Sequence, residues 1–252
     1  MKTPFDCALN GVLLSSLDEA ICVQDIREEA PKLRTSALSL PMEGQRLLRQ
    51  QRESLTVQVI FAIHAEDPVR RRAVLQNVLA WAAQGGLLTT LDRPGQQLSV
   101  LCTALPAMSA EDWAAPLTLS FTSVRIPYWE ATDEVTVSGS AVLTLDTPGT
   151  AESAPVDVVV INDTTFLVDT LTLYCGGTRM EFTDLHLPSS GMFLLLQSGG
   201  ILSAQVDGHS VLHCRTPESD DLLLAPCGRS CVVYASAAEP LPATFTVRGR
   251  YL

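Results

Sequence analysis

Apolar and polar residues alternate along most of this chain, and they fall into helical spacing at one place. In Leu55, Val57, Val59, Phe61 and Ile63 every odd position is apolar, while Thr56, Gln58 and His64 share the other face with Ile60 and Ala62. Period two predicts a half-buried strand. Directly after it, Asp67 is placed to cap a helix, Pro68 suits the first helical position, and Gly85-Gly86 supplies a left-handed stop. Between those signals Val74, Leu75, Val78, Leu79 and Ala82 recur at helical spacing with Trp81 at the margin, and Arg70, Arg71, Arg72, Gln76 and Asn77 fall mostly on other faces. One helix docking one face on a sheet is the expectation.

Alternation resumes at once. Leu87 to Leu91 predicts a strand, Asp92-Arg93-Pro94-Gly95 a turn, and Leu98, Val100, Cys102 and Ala104 the next strand, with Leu117, Leu119 and Phe121 continuing the sheet. Near the start, Phe5 to Leu9 and Val12 to Leu14 flank Asn10-Gly11, the pair that supplies the positive φ angles of a type I′ hairpin. Gln24 to Arg52 keeps no clean period. Its apolar anchors Ile26, Leu33, Leu38, Leu40 and Met42 are interrupted by Pro31, Pro41 and Gly44. Such a stretch is either a long excursion that packs on a neighbour or an irregular pair of strands, and long excursions are commonly functional.

After Phe121 the strand pattern ends at Arg125-Ile126-Pro127-Tyr128-Trp129-Glu130, where proline stops a ladder and two large aromatics follow. Beyond Asp133, turn signals recur at Pro148-Gly149, Asn162-Asp163, Cys175-Gly176-Gly177, Ser189-Ser190-Gly191, Ser198-Gly199-Gly200 and Asp207-Gly208. Between them lie short β-branched or aromatic runs: Val158 to Ile161, Phe166 to Tyr174, Met192 to Leu196 and Cys231 to Tyr234. That rhythm predicts an antiparallel β-sandwich. Thr244 to Leu252 alternates to the last residue and reads as one closing strand. The fold expected is mainly β with one main α-helix: an α+β domain over 1–133, including an extended arm over about 24–52, and a sandwich over 134–252 whose last strand is a candidate to return to the first domain.

The 252 residues are enough for two cores without staples. Hydrophobic residues make up 46%, yet no apolar run reaches the ~18 residues of a membrane helix, so surplus apolar surface is expected to meet other subunits rather than a membrane. The net charge is −11, and residues 135–252 hold 5 Arg against 12 acidic residues, which disfavours nucleic acid as a partner. Seven cysteines, an odd number, are scattered without a spacing pattern, which points to free, mostly buried thiols in a reducing cytosol.

Catalytic constellations fare poorly. No Gly-x-Ser-x-Gly elbow occurs, and Ser189-Ser190-Gly191 beside His186 reads as a turn. His213-Cys214, on a strand, would point to opposite faces. His209, His213, Cys214, Cys227 and Cys231 are soft ligands clustered in sequence, but Cys-x-x-x-Cys is not a zinc-knuckle spacing. Asp163, Asp169, Glu181, Asp184 and Asp207 sit in or beside turns, where carboxylates usually bond local backbone. No glycine-rich phosphate loop precedes a helix. No catalytic residue, metal ligand or cofactor is assigned. Arg125, Tyr128 and Trp129 form the most interface-like cluster, as a domain-edge contact or as a small core plugging the hinge.

The order of these features resembles the distal tail proteins of long-tailed bacteriophages with non-contractile tails. The resemblance rests on the Asn10-Gly11 hairpin, the strand Leu55 to Ile63 running into Glu66-Asp67, the helix with Trp81, the Leu91-Asp92-x-Pro94 turn, Phe121 leading to Pro127-Tyr128-Trp129, and the closing Arg250-Tyr251-Leu252. It covers nearly the whole chain, with Pro226-Cys227-Gly228 standing one residue longer than the family's late Pro-Gly turn. It implies a structural protein of the virion tail, assembled in the bacterial host cytoplasm. The first domain would close as a homo-oligomer into a sixfold ring, and a galectin-like sandwich would project outward. The implied partners are the tail tube, tape measure, tail-associated and receptor-binding proteins. Leu33, Arg34, Leu38, Leu40 and Met42 would lie in an arm gripping the neighbouring subunit. The alternative is a carbohydrate-binding module or cell-wall-binding accessory protein without catalysis.

Overall fold

Spacing alone decides where the helix goes, and the strands follow the period-two runs around it. The computed structural model describes residues 5–31, 33–40, 44–106, 115–198 and 200–252, with the backbone alone described for 36–40 and 44–51. Trp113 and Met42 lie outside the described residues. The chain divides into two packed units, Met1–Tyr128 and Trp129–Leu252.

In the first unit the strands are β1 (Cys7–Leu9), β2 (Val12–Leu13), β3 (Ile21–Glu29), β4 (Leu33–Leu40), β5 (Gly44–Arg52) and β6 (Thr56–Ile63), then helix α1 (Pro68–Ala82), then β7 (Gly86–Thr90), β8 (Gln96–Ala104) and β9 (Leu117–Ser123). One antiparallel sheet runs in the order β2-β1-β7-β8-β9-β6-β3. The odd positions of β6 are buried, as period two requires, with Val57, Val59 and Phe61 having no exposed surface, and at the strand's end Ala62 is buried as well. Asp67 caps α1, its Oδ1 accepting from the Arg70 backbone N–H at 2.8 Å. Val74, Leu75, Val78 and Ala82 are buried.

Two residues of α1 depart from the reading of its faces. Trp81 is fully part of the core, meeting Phe121 of β9 edge to face at 6.0 Å while its Nε1 donates to the Val12 carbonyl at 3.0 Å. Arg71 is buried too. One turn before Val74 and Leu75, it shares their face, and its long stem carries the guanidinium to the Ala115 carbonyl at 3.4 Å.

The Asn10-Gly11 hairpin forms with φ of 53° and 82° at those residues. Asn10 then does more than turn the chain. Its Nδ2 donates to the Gly85 carbonyl at 2.8 Å and its Oδ1 accepts from Leu87 N–H at 3.0 Å, tying the hairpin to the end of α1. Gly86 makes this possible, because a Cβ there would fall 2.1 Å from Asn10 Oδ1.

The second unit holds β10 (Trp129–Ala131), β11 (Val135–Gly139), β12 (Leu143–Thr147), β13 (Ser153–Ile161), β14 (Leu171–Cys175), β15 (Thr178–Phe182), β16 (Met192–Leu196), β17 (Ser203–Val206), β18 (His209–Ser210), β19 (Leu224–Pro226), β20 (Arg229–Ser236), β21 (Ala243–Val247) and β22 (Arg250–Tyr251). One sheet runs β11-β21-β13-β16-β17-β18 with β19 added on β13, and the other runs β12-β20-β14-β15. Phe182 from the second sheet meets Phe193 from the first at 5.0 Å between ring centroids, so the inner faces interdigitate as in a sandwich. Chain-wide the architecture is mainly β, with one α-helix among the described residues.

Three local expectations change. The strand expected over Phe166 to Tyr174 begins only at Leu171, because Asn162 folds the preceding residues into a loop. Buried Asn162 donates through Nδ2 to the carbonyls of Phe166, Leu187 and Pro188 at 2.8–3.0 Å, and its Oδ1 accepts from the Thr164 N–H and hydroxyl. The closing strand breaks at Gly249, where a Cβ would lie 2.3 Å from the Pro148 carbonyl oxygen. Its two halves part company there: β21 pairs with β11 and β13, and β22 pairs with β10 through Trp129–Tyr251. Finally, His213-Cys214 lies in a 3-10 turn rather than on a strand.

Candidate assembly interface

A regular hairpin becomes a candidate interface when it outgrows its sheet, because its outer edges then carry ladder groups that another chain can use. The stretch without a clean period is such a hairpin. In β3 and β6, Glu29 stands opposite Thr56, and in β4 and β5 Leu33 stands opposite Arg52. Three residues on each side, 30–32 and 53–55, separate the two ladders. The register therefore carries straight across the gap, and β3–β4 and β5–β6 form one ribbon. At ~3.3 Å per residue the eight residues of β4 alone span about 26 Å. Among the described residues β4 and β5 pair only with each other.

Two bulges explain why periodicity failed here. Val23 pairs with Phe61 but Asp25 with Ile60, leaving Gln24 extra on β3. Ser36 pairs with Arg49 but Ala37 with Leu47, leaving Leu48 extra on β5. Each inserted residue flips the alternation beyond it, so an apolar pattern read along either strand loses phase.

Of the residues singled out for a subunit contact, Leu33 opens β4 and is 54% exposed, and Arg34, opposite Gln51, is exposed as well. Leu38 stands opposite Arg46 and Leu40 opposite Gly44 near the far end of the ribbon, and Met42 lies outside the described residues. In the other cluster, Arg125 is exposed in a left-handed conformation with φ 73°, Tyr128 is half-buried, and Trp129 is buried. The structure adds one residue that the sequence did not single out. Arg52, the last residue of β5, lies with its guanidinium 5.5 Å from the centroid of the Tyr128 ring. This cation–π contact joins the root of the ribbon to the domain-edge segment. No sequence spacing signals it, because the partners belong to distant segments brought together by the sheet.

The remaining chemical candidates are accounted for locally. Asp207 Oδ1 accepts from Met192 N–H at 2.9 Å, and His186 Nδ1 donates to the Asp184 carbonyl at 2.9 Å. Cys231 lies 3.8 Å from Cys175, not beside His213, and the Cys214 thiol donates to the Asp184 carbonyl. Among the described residues no group of three His, Cys, Asp or Glu side chains is placed to hold a metal. All seven cysteines are free, five of them buried. Burial pushes the Cys7 and Cys175 thiols far above their ordinary value, helped at Cys7 by the Asp6 charge and at Cys175 by Cys231. Such thiols are poor nucleophiles. A cavity of about 490 Å³ in the second unit is lined by Phe166, Leu167, Asp169, Glu239 and Leu241, with Phe166 at its rim 76% exposed.

No protein-family model matches the chain, and no curated protein matches it in sequence. Among solved structures, the chain is similar to the Dit (gp 19.1) protein of phage SPP1, described as a paradigm of hub adsorption apparatus in Gram-positive infecting phages. The similarity spans 98% of this chain and 99% of that one at 13% identity, with a TM-score of 0.72. The phage P2 baseplate in its activated conformation, with Ca or with Sr, is matched over 97% of each chain at 6% identity with a TM-score of 0.47. The fold expected from the resemblance in sequence order, that of a phage distal tail protein, is thus the fold this chain has.

Proposed function

We propose that this chain is a distal tail protein of a phage or prophage: a structural subunit whose copies close into a sixfold ring between the tail tube and the tail tip or baseplate. The observation that carries this reading is the hairpin of β4 and β5, which keeps the register of β3 and β6 for about 26 Å of further ladder and pairs with no other strand among the described residues. Its support is the whole-chain likeness to a phage hub protein. In this reading the first unit, with the ribbon as arm, builds the ring. The second unit is a galectin-like module to which receptor-binding or other adsorption components attach. The tape measure and tail-associated proteins run along the axis, and the protein resides in the virion tail. It has no catalytic role, cofactor or metal.

Light scattering on the untagged chain tests the ring. A mass six times 27.2 kDa, or a multiple of that, is expected. A monomer at every concentration and ionic strength would overturn the reading.

A second reading, a carbohydrate-binding protein without catalysis, is favoured by the cavity whose lining includes exposed Phe166 together with Asp169 and Glu239. A glycan array probed with the full chain decides it: selective binding lost in Phe166→Ala supports it, and a blank array removes it.

A further inference from the structure

The arm differs from the rest of the chain in charge. Residues 32–52 contain five basic residues (Lys32, Arg34, Arg46, Arg49 and Arg52) and one acidic residue (Glu43), a formal charge of +4 within a chain of −11. The rest of the protein therefore carries −15. The change of sign coincides with the gap between the two ladders of the ribbon. Below the gap, β3 bears Asp25, Glu28 and Glu29, and two of these are neutralised within their own unit: Asp25 by Arg27 at 2.7 Å and Glu28 by Arg93 at 2.9 Å. Above the gap, residues 33–52 hold four arginines and one carboxylate, Glu43, while the gap itself holds Lys32 and Glu53.

A cationic ribbon that pairs with no other strand among the described residues is self-repelling, and it gains most from an anionic surface of matching size. A second copy of this chain, at −15 outside its own arm, is such a surface. We infer that the arm is an electrostatic clasp, and that its occupant is an acidic face of a neighbouring copy. This rests on the ring reading and adds the nature of the contact: each copy presents one cationic arm and receives another, a heterologous interface of the kind that closes into rings. Because surface charge pairs are screened within about 8–10 Å at physiological salt, assembly is set by ionic strength as well as by concentration.

The test is light scattering of the full chain from 50 mM to 1 M NaCl, with two triple variants. R34Q/R46Q/R49Q removes arm charge but spares Arg52 and its ring contact. R72Q/R179Q/R229Q removes the same charge elsewhere. The expected result is an oligomer at 50 mM whose half-dissociation concentration rises about tenfold or more by 500 mM. The arm variant should be as dissociated at 50 mM as the parent is at high salt, and the control variant should behave as the parent. An oligomer insensitive to salt and to both variants overturns the clasp and leaves the ring standing. Equal weakening by both variants reduces the effect to net charge and also overturns the clasp. A monomer under all conditions removes the ring reading and the clasp with it. If the chain stays monomeric while binding a duplex DNA oligonucleotide at 50 mM, the arm's occupant is a foreign polyanion and the inference fails.

Discussion

Arg52 and Tyr128 meet at the base of the arm, the guanidinium 5.5 Å from the ring centroid. One ends the strand that returns from the arm, and the other ends the first unit. Removing the ring should loosen the root without disturbing the sheet below it. Tyr128→Leu keeps apolar bulk and loses the cation–π attraction, about 0.5–1 kcal/mol at a half-exposed site. The expected outcome is faster hydrogen exchange at the backbone amides of 33–35 and 50–52, with those of β6 unchanged. Equal exchange at both places would show that the contact holds nothing.

Asn162 should be among the costliest polar residues to remove. It satisfies three carbonyls and accepts two further bonds from within the core of the second unit. Asn162→Ala removes one donor from each of three carbonyls, which keep the Thr164 hydroxyl at Phe166, the Val168 N–H at Leu187 and the Gly191 N–H at Pro188, and the expected loss is about 2 kcal/mol in urea denaturation. Asn162→Asp should be worse, since a carboxylate would face the same oxygens.

At Gly86 the expected effect is steric. With φ 123° and a virtual Cβ 2.1 Å from Asn10 Oδ1, Gly86→Ala must displace the Asn10 side chain and strain the backbone. A loss of about 2–3 kcal/mol is expected. Asn10→Ala on the Gly86→Ala background should then cost less than Asn10→Ala alone, which a double-mutant cycle measures.

The buried thiols predict how stability depends on pH. Burial, followed by the Asp6 charge at Cys7 and by Cys231 at Cys175, raises both thiols above their ordinary value of 9.0. A raised value in the folded state means that the unfolded chain loses its protons first. The stabilisation is complete below pH 9 and is lost as pH climbs from there toward the folded values. Each thiol contributes a slope of about 1.4 kcal/mol per pH unit in that window. Denaturation midpoints should be flat between pH 7.5 and 8.5 as far as these groups are concerned, and should fall above pH 9.5. In Cys7→Ala/Cys175→Ala the fall should be shallower.

Much of the architecture was legible because local chemistry and global fold agree. Asp67, Pro68 and the Gly85-Gly86 pair bracket the helix, and Asn10-Gly11 dictates a hairpin whatever surrounds it. The arm was legible only as one of two alternatives, of which the irregular pair of strands is the one that forms, because Gln24 and Leu48 are extra residues that shift the alternation, and because register belongs to two strands at once. Arg71 escaped for another reason. Residue type argued for solvent, whereas its position three and four before Val74 and Leu75 put it inside. The loop at Phe166 escaped because an aromatic, apolar run looks like a strand until Asn162 is seen to claim its carbonyl. In the candidate interface, Leu33 and Tyr128 could be named from residue type, but Arg52 could be found only once the sheet had brought distant segments together.

The pairing offset, constant from Asp25 to Ser36 between the two bulges, has a geometric corollary for how such an arm can change length. Deleting one residue from a single strand would put every later side chain on the wrong face, whereas deleting facing partners from both strands shortens the ladder and leaves the rest in phase. The arm therefore behaves as a telescoping rod with a fixed step of ~3.3 Å per matched pair. Its reach is adjustable in discrete increments without redesigning either end.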